Sequence, residues 1–297
     1  MSSPTSLQHS SRLPEWLRVG LPRGPGFAET AGLLRELNLH TVCEGANCPN
    51  RFECFSRRTA TFLILGPACT RGCAFCNIEP GRPRPPDPDE PRRVSEAARR
   101  LGLAHVVVTS VTRDDLEGGG AGQFAAVIRG LRAALPGAGV EVLVPDFRGD
   151  AAALNAVLAA GPDVLNHNLE TVAGLYPTVR PKADYARSLE LLRQTKRTRP
   201  DVLCKSGLMA GLGEDFAALC AAIRDLAAAG CDIVTVGQYL RPSRRHPEPA
   251  RYLYPAEFER LAEHGRSLGI PHMYCGPLVR SSLHAEQFLA DRTARGE

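Results

Sequence analysis

A chain of 297 residues with 43% hydrophobic and 23% charged residues can bury a full core, and a formal charge of +4 does not call for a nucleic-acid partner. No apolar run is long enough to span a membrane, and the polar, proline-broken start MSSPTSLQHSSRLPEWLRVG has no secretion-signal core. Its serines and late first acid, Glu15, faintly suggest a transit peptide, but without hydrophobic periodicity it reads as a polar tail, and a cytoplasmic location is expected.

In chain order, residues 1–60 hold one helix candidate (29–38) and three cysteines. From residue 61 the chain alternates. Strand candidates lie at 61–66, 105–110, 140–145, 163–168, 202–209 and 232–237, and helix candidates at 94–102, 121–135, 149–160, 184–196, 214–229 and 255–268. Such alternation implies parallel strands joined by right-handed crossovers. Six units are too few for a closed eight-stranded barrel, so an open sheet or a partial (β/α)6 barrel is expected, with the site at the carboxyl ends of its strands. The expected organisation is an extension over 1–60, a barrel over 61–269 and a closing segment over 270–297.

With no secretion signal, ten cysteines point to metal-bound thiols rather than disulfides. Cys69, Cys73 and Cys76 form C-x3-C-x2-C just after the first long strand. Three thiolates on one loop hold three irons of a cubane, and the fourth iron keeps an open position. An open iron can chelate the amino and carboxylate groups of S-adenosylmethionine and pass it an electron, releasing a carbon radical. Zinc prefers four ligands in paired C-x2-C arrangements, which this triad does not offer. The block GPACTRGCAFCNIEP resembles the radical S-adenosylmethionine signature, in which the position of Phe75 packs near adenine.

Other cofactor contacts are expected where strands end: Gly118 and Gly119 after the second strand, Asn168 and Glu170 in NHNLETV, and Gly207 and Gly211 in SGLMAGLGE. The glycine run also fits a plain flexible loop, and SGLMAGLGE a strand-to-helix turn.

A second triad, Cys43, Cys48 and Cys54, is spaced C-x4-C-x5-C. Its different spacing suggests a separate cluster; zinc with His40 as a fourth ligand is the competing reading. Together with TSVTRDDL, VLVPDF, VRPKADY, VGQYLRPS and GPLVRSS, these motifs resemble the lipoyl synthase family from about residue 12 to 290. That resemblance implies two 4Fe-4S clusters, S-adenosylmethionine as cofactor, and Ser282 as the fourth ligand of the auxiliary cluster. It implies insertion of two sulfur atoms, at carbons six and eight of an octanoyl chain, with the auxiliary cluster as sulfur source. The implied partners are octanoylated lipoyl-carrier domains (the 2-oxoacid dehydrogenase E2 component or the glycine cleavage H protein), an electron donor, and an iron–sulfur repair or carrier protein. The chain departs from the family pattern at Gly45, Phe55, Thr112 and Leu283. Cys204, Cys220, Cys231 and Cys275 fit neither triad, and His246, His272 and His284 receive no role.

Overall fold

A computed structural model describes residues 13–18 and 26–282. Leu283 and His284 lie outside the described residues.

The N-terminal part holds α1 (Gly26–Glu36), β1 (His40–Thr41), α2 (Val42–Gly45) and α3 (Arg51–Ser56). The repeat then runs β2 (Thr61–Ile64), the two short pieces β3 (Ala68–Cys69) and β4 (Glu79–Pro80), α4 (Glu90–Leu101), β5 (His105–Ser110), α5 (Ala121–Ala134), β6 (Gly139–Leu143), α6 (Ala151–Ala159) and β7 (Val164–Asn166). It continues through α7 (Tyr176–Val179), α8 (Tyr185–Thr198), β8 (Leu203–Ala210), α9 (Phe216–Ala228), β9 (Ile233–Gln238), α10 (Pro255–Ser267) and β10 (His272–Gly276).

One sheet runs β1-β2-β5-β6-β7-β8-β9-β10; β1 is antiparallel to β2, and every other neighbouring pair is parallel. Because each new parallel strand joins the same edge, right-handed crossovers place all the helices on one face. The sheet curls with helices outside. Its end strands β1 and β10 do not pair, so the barrel stays open. All six expected strands are present. The sheet also gains β10, from the segment expected only to close the site, and β1, from the expected extension. Both short strands lie where periodicity is weakest: β1 has two residues, and β10 follows Pro271 directly.

Strand alternation separates two environments. Outward residues such as Val106, Val108, Val140 and Val142 are fully buried beneath the helices. Inward residues form layers. Val107, Val164 and Ile233 pack together as a small apolar floor. Beside them the Lys205 ammonium on β8 donates to both oxygens of Glu141 on β6 (2.8 and 3.1 Å), with His105 Nε2 3.4 Å from the same carboxylate. Burial works to raise the Glu141 pKa, yet the charges of Lys205 and His105 hold it below the usual range.

Both side chains of this pair are fully buried, so removing one partner strands a charge. Lys205→Met is expected to cost about 3–5 kcal/mol. Adding Glu141→Leu should recover most of that loss, read as urea midpoints of the cluster-free chain; a double variant no more stable than the single one would show that the charge is not the source.

Candidate active site

The β2–α4 loop, residues 65–89, leaves the sheet at its carboxyl end and carries the first triad. It has little regular structure, and side chains fix it. The Arg71 guanidinium, 5% exposed, donates to both oxygens of Asp114 after β5 (2.7 and 2.8 Å) and to Asp146 after β6 (2.7 Å). Burial opposes the arginine's charge, but the two carboxylates raise its pKa above the ordinary value. Asp146 is also buried, and Arg71 draws its pKa down to about 2. Backbone bonds from Thr70 N to Thr112 O (3.1 Å) and from Ala74 N to Val179 O (2.9 Å) complete the hold. Sequence reasoning missed Arg71, although it lies between two cysteines of the motif.

Cys69, Cys73 and Cys76 line a cavity of about 780 Å³ within the curl of the sheet. So do Cys43 and Cys48 of the second triad, and Ser282. Cys54 does not reach the wall, but its thiol is electrostatically coupled to Cys43 and Cys48. Burial pushes the Cys43 thiol up to about 11, and Cys54 and Cys76 up to about 12. Such thiols are poor free nucleophiles, which suits ligands that lose their protons only to a metal. Among the described residues, no three histidine, cysteine or acidic side chains gather tightly enough to hold a single metal ion. Five of the six triad cysteines share one space. His40 is exposed and lines a different pocket, so it is not a fourth ligand to the second triad.

The second triad's segment is tied to every neighbour around the cavity. Asn77 Nδ2 donates to Gly45 O (2.9 Å), Asn47 Nδ2 to Pro242 O (3.1 Å), and Asn50 Nδ2 to Leu278 O (2.8 Å). Gly45 has a local cause: a Cβ there would lie 2.5 Å from Ile78 Cδ1. Phe55 is fully buried against Phe27, and the Thr112 carbonyl receives both the amide and the hydroxyl of Thr70.

The polar wall comes from the segment that follows β7 and from Arg180 after α7. His167 Nδ1 lies 2.8 Å from the Val144 carbonyl; since a carbonyl only accepts, Nδ1 carries the proton and Nε2 is left as an acceptor. Burial, with the nearby Arg180 charge, lowers the His167 pKa to about 4. His167 Nε2, Asn168 Oδ1 and Arg180 Nε are buried without partners, and all three residues line the cavity. Asn168 Nδ2 donates to Glu170 Oε1 (3.0 Å) and lies 3.4 Å from Ser281 Oγ. Glu170 holds φ at 67°, costly for a residue with a side chain and typical of functional sites. These unsatisfied acceptors and the guanidinium fit a ligand bearing hydroxyls, an ammonium and a carboxylate, as S-adenosylmethionine does.

Phe75 and Gly207 also line the cavity; a Cβ on Gly207 would come within 2.8 Å of Asn168 Oδ1 and Thr235 Oγ1. Gly118 and Gly119 are placed elsewhere, on a separate pocket of about 340 Å³ beside Phe147 and Arg148. Gly211 is off the cavity too, its amide bound by the Glu214 carboxylate. His246, given no role from sequence, lies 3.1 Å through Nε2 from the Cys76 carbonyl, with Ser243 Oγ 2.9 Å from its Nδ1. That contact spans 170 residues, so no local pattern announces it. Cys204 and Cys231 lie in the outer core.

The model of the radical SAM superfamily matches residues 63–226, and that of the N-terminal domain of lipoyl synthase matches residues 4–48. A lipoyl synthase of Nitratidesulfovibrio vulgaris (strain DP4) is 61% identical over 286 residues, 96% of this chain and 95% of that protein. One from Oleidesulfovibrio alaskensis is 60% identical over 95% of this chain and 96% of its own length. One from Caldanaerobacter subterraneus subsp. tengcongensis is 55% identical over 96% and 99%. Among solved structures, methylornithine synthase (PylB) aligns with a TM-score of 0.55 at 14% identity, covering 92% of this chain and 94% of its own. HydG, a hydrogenase maturase, gives 0.54 at 14% identity over 84% and 68%. At that identity these two structures establish the fold alone: a partial barrel of the radical SAM type.

Two expectations follow from this geometry. The neutral His167 stabilises the fold fully above its ordinary pKa of 6.5, and the contribution falls as pH drops toward about 4, by roughly 3 kcal/mol across that window. The urea midpoint of the cluster-free chain should decline from pH 6.5 to 4, and His167→Gln should flatten that slope; an equal slope in both would remove His167 as its cause. A Cβ at Gly237 would sit 2.1 Å from the Val279 carbonyl. Gly237→Ala should therefore lift the segment carrying Ser281 and Ser282, speeding proteolysis beyond residue 276 by about tenfold or more with little change in global stability.

Proposed function

The chain belongs to the lipoyl synthase family of the radical S-adenosylmethionine superfamily, and from that membership we propose which of its residues carry the sulfur-insertion reaction. The substrate is an octanoyl group on a lysine of a lipoyl-carrier domain; the product carries sulfur at carbons six and eight. One observation supports the residue assignment above all: the whole first triad, two cysteines of the second and Ser282 line a single cavity.

Cys69, Cys73 and Cys76 hold the 4Fe-4S cluster at which S-adenosylmethionine binds. When bound, that pair supplies a carbon radical able to take hydrogen from an unactivated C–H bond, which acid–base chemistry cannot do. Asn168, Glu170, Arg180 and the free acceptor of His167 bind the cofactor's polar ends, and Phe75 packs toward its adenine. Gly207 leaves room beside Asn168. Cys43, Cys48, Cys54 and Ser282 hold the auxiliary 4Fe-4S cluster, the source of sulfur. Ser282 would supply that cluster's one oxygen ligand among three thiolates, a weaker hold than sulfur.

The alkyl chain reaches this chemistry along apolar wall residues such as Leu63, Val111, Leu143 and Met209. They exclude water from a substrate radical that must meet sulfur before it is quenched. Because the auxiliary cluster is consumed, a repair or carrier protein must rebuild it, and an electron donor must reduce the first cluster. No helix among the described residues is long and apolar enough to cross a membrane.

The test is anaerobic. The reconstituted chain should hold about eight irons and convert an octanoyl-lysine peptide to lipoyl peptide with release of 5′-deoxyadenosine, followed by mass spectrometry. Cys69→Ala should abolish both products; Ser282→Ala should keep deoxyadenosine release and lose sulfur insertion. About four irons or bound zinc in the wild-type chain, or no deoxyadenosine with both clusters intact, would overturn the assignment.

A further inference from the structure

We propose that His246 is a positioning residue for sulfur insertion: it closes a circuit of three hydrogen bonds that registers the first cysteine triad against the second. The proposal rests on assigning both triads to clusters. Its own support is the way three separate segments are joined.

Cys69, Cys73 and Cys76 are on the β2–α4 loop, and Cys43, Cys48 and Cys54 on the stretch that holds α2 and α3. The third segment is the β9–α10 loop, residues 239–254. Each pair of segments is joined by one side-chain donor and one backbone carbonyl. Asn77 Nδ2, next to Cys76, donates to Gly45 O (2.9 Å). Asn47 Nδ2, next to Cys48, donates to Pro242 O (3.1 Å). His246 Nε2 donates to Cys76 O (3.1 Å), and the circuit is closed. Among the described residues no backbone-to-backbone bond crosses between these segments. The ion pair that does cross, Arg245 with Glu79, is 3.7 Å long and exposed at both ends, so it contributes little.

His246 is itself fixed for this contact. A carbonyl only accepts, so Nε2 carries a proton, and Ser243 Oγ holds the ring from behind at 2.9 Å from Nδ1. The Arg245 amide donates to the same hydroxyl (3.3 Å). Arg241 Nε donates to the His246 carbonyl (2.7 Å), and the Tyr239 hydroxyl to Pro247 O (2.9 Å). Tyr239, Arg241 and Pro242 also line the cavity, so this loop is part of its wall. Apolar packing between the segments, such as Ile78 against Gly45, has no direction; the hydrogen bonds supply the register. A substrate radical made with the first triad must meet sulfur at the second, and a small misplacement of reacting groups is costly.

The test is product partitioning by the reconstituted holoenzyme: 5′-deoxyadenosine released per lipoyl peptide formed, with iron content measured for each variant. His246→Ala is expected to raise that ratio about threefold or more, because radical formation continues while sulfur insertion falls. A glutamine amide puts its nitrogen where Nε2 lies, and an asparagine amide where Nδ1 lies. His246→Gln should therefore restore the wild-type ratio, and His246→Asn should not. Asn47→Ala, which opens the next side of the circuit, should raise the ratio as well. An unmoved ratio in His246→Ala or in Asn47→Ala, or equal ratios in His246→Gln and His246→Asn, overturns the proposal. If His246→Ala loses iron, retention in His246→Gln but not in His246→Asn supports it, and loss from all three overturns it. A wild-type chain that forms neither product sinks the cluster assignment itself, before any variant is compared.

Discussion

The site depends on one buried guanidinium. The loop with Cys69, Cys73 and Cys76 has almost no ladder to hold it, only the short β3–β4 pairing. Arg71 substitutes for one by reaching the loops after β5 and β6 at once through Asp114 and Asp146. An arginine is suited to this because its planar fork meets Asp114 with two parallel bonds and still has a donor for Asp146. A lysine would bring one point charge and leave an oxygen of a buried carboxylate unpaired. Through this clamp the cysteine loop is registered against the barrel rim, and everything else at the site is positioned relative to it.

The rim explains how three distant parts of the sequence share one cavity. The curl of the sheet points Thr61, Thr109, Gly207, Thr235 and Gly237 inward from different strands, and the N-terminal segment and the tail close over them. That closure uses side-chain amides against backbone carbonyls: Asn47, Asn50 and Asn77 each satisfy an oxygen on a different neighbour. Such contacts hold without apolar surface and leave the carbon-lined part of the cavity free for an alkyl chain. Beneath, the Lys205–Glu141 pair caps the barrel with charge where a closed barrel would place another layer of branched side chains. The result is a pocket with a polar wall from the segment after β7 and apolar flanks, set above a layer of apolar side chains and one buried ion pair.

Much of this was legible in the sequence. The six parallel strands follow from β-branched runs spaced by helices, and the six cysteines from spacing alone. Asn168, Glu170, Gly207 and Phe75 fall on the cavity because residues at strand ends face it. Position at a strand end was not sufficient for Gly118 and Gly119. Phe147 and Leu65 fill the space before them, so those glycines serve tight packing there: a Cβ on Gly119 would meet Phe147 at 3.1 Å, and one on Gly120 would meet Leu65 at 2.4 Å. Gly211 likewise belongs to the turn that Glu214 and Gln238 tie down. What stayed hidden depends on contacts distant in sequence. The roles of Arg71 and His246 exist only once loops 43 to 170 residues away are in place, and β10, HMYCG, lacks the β-branched run that marks the other strands.

On the proposed assignment the two cysteine sets would have different tasks. The first would bind a zwitterionic cofactor and release it, and its neighbourhood offers the Arg180 guanidinium, the Asn168–Glu170 pair and the neutral acceptor of His167. The second would hold a cluster that gives up its sulfur. Burial pushes the Cys43 and Cys54 thiols up to about 11 and 12, so they would favour their protonated form unless a metal held them. Ser282, on a segment admitted by the absence of one Cβ at Gly237, would be that site's one oxygen ligand. On that assignment a lasting site and an expendable one would draw on the same few materials, arranged around one cavity.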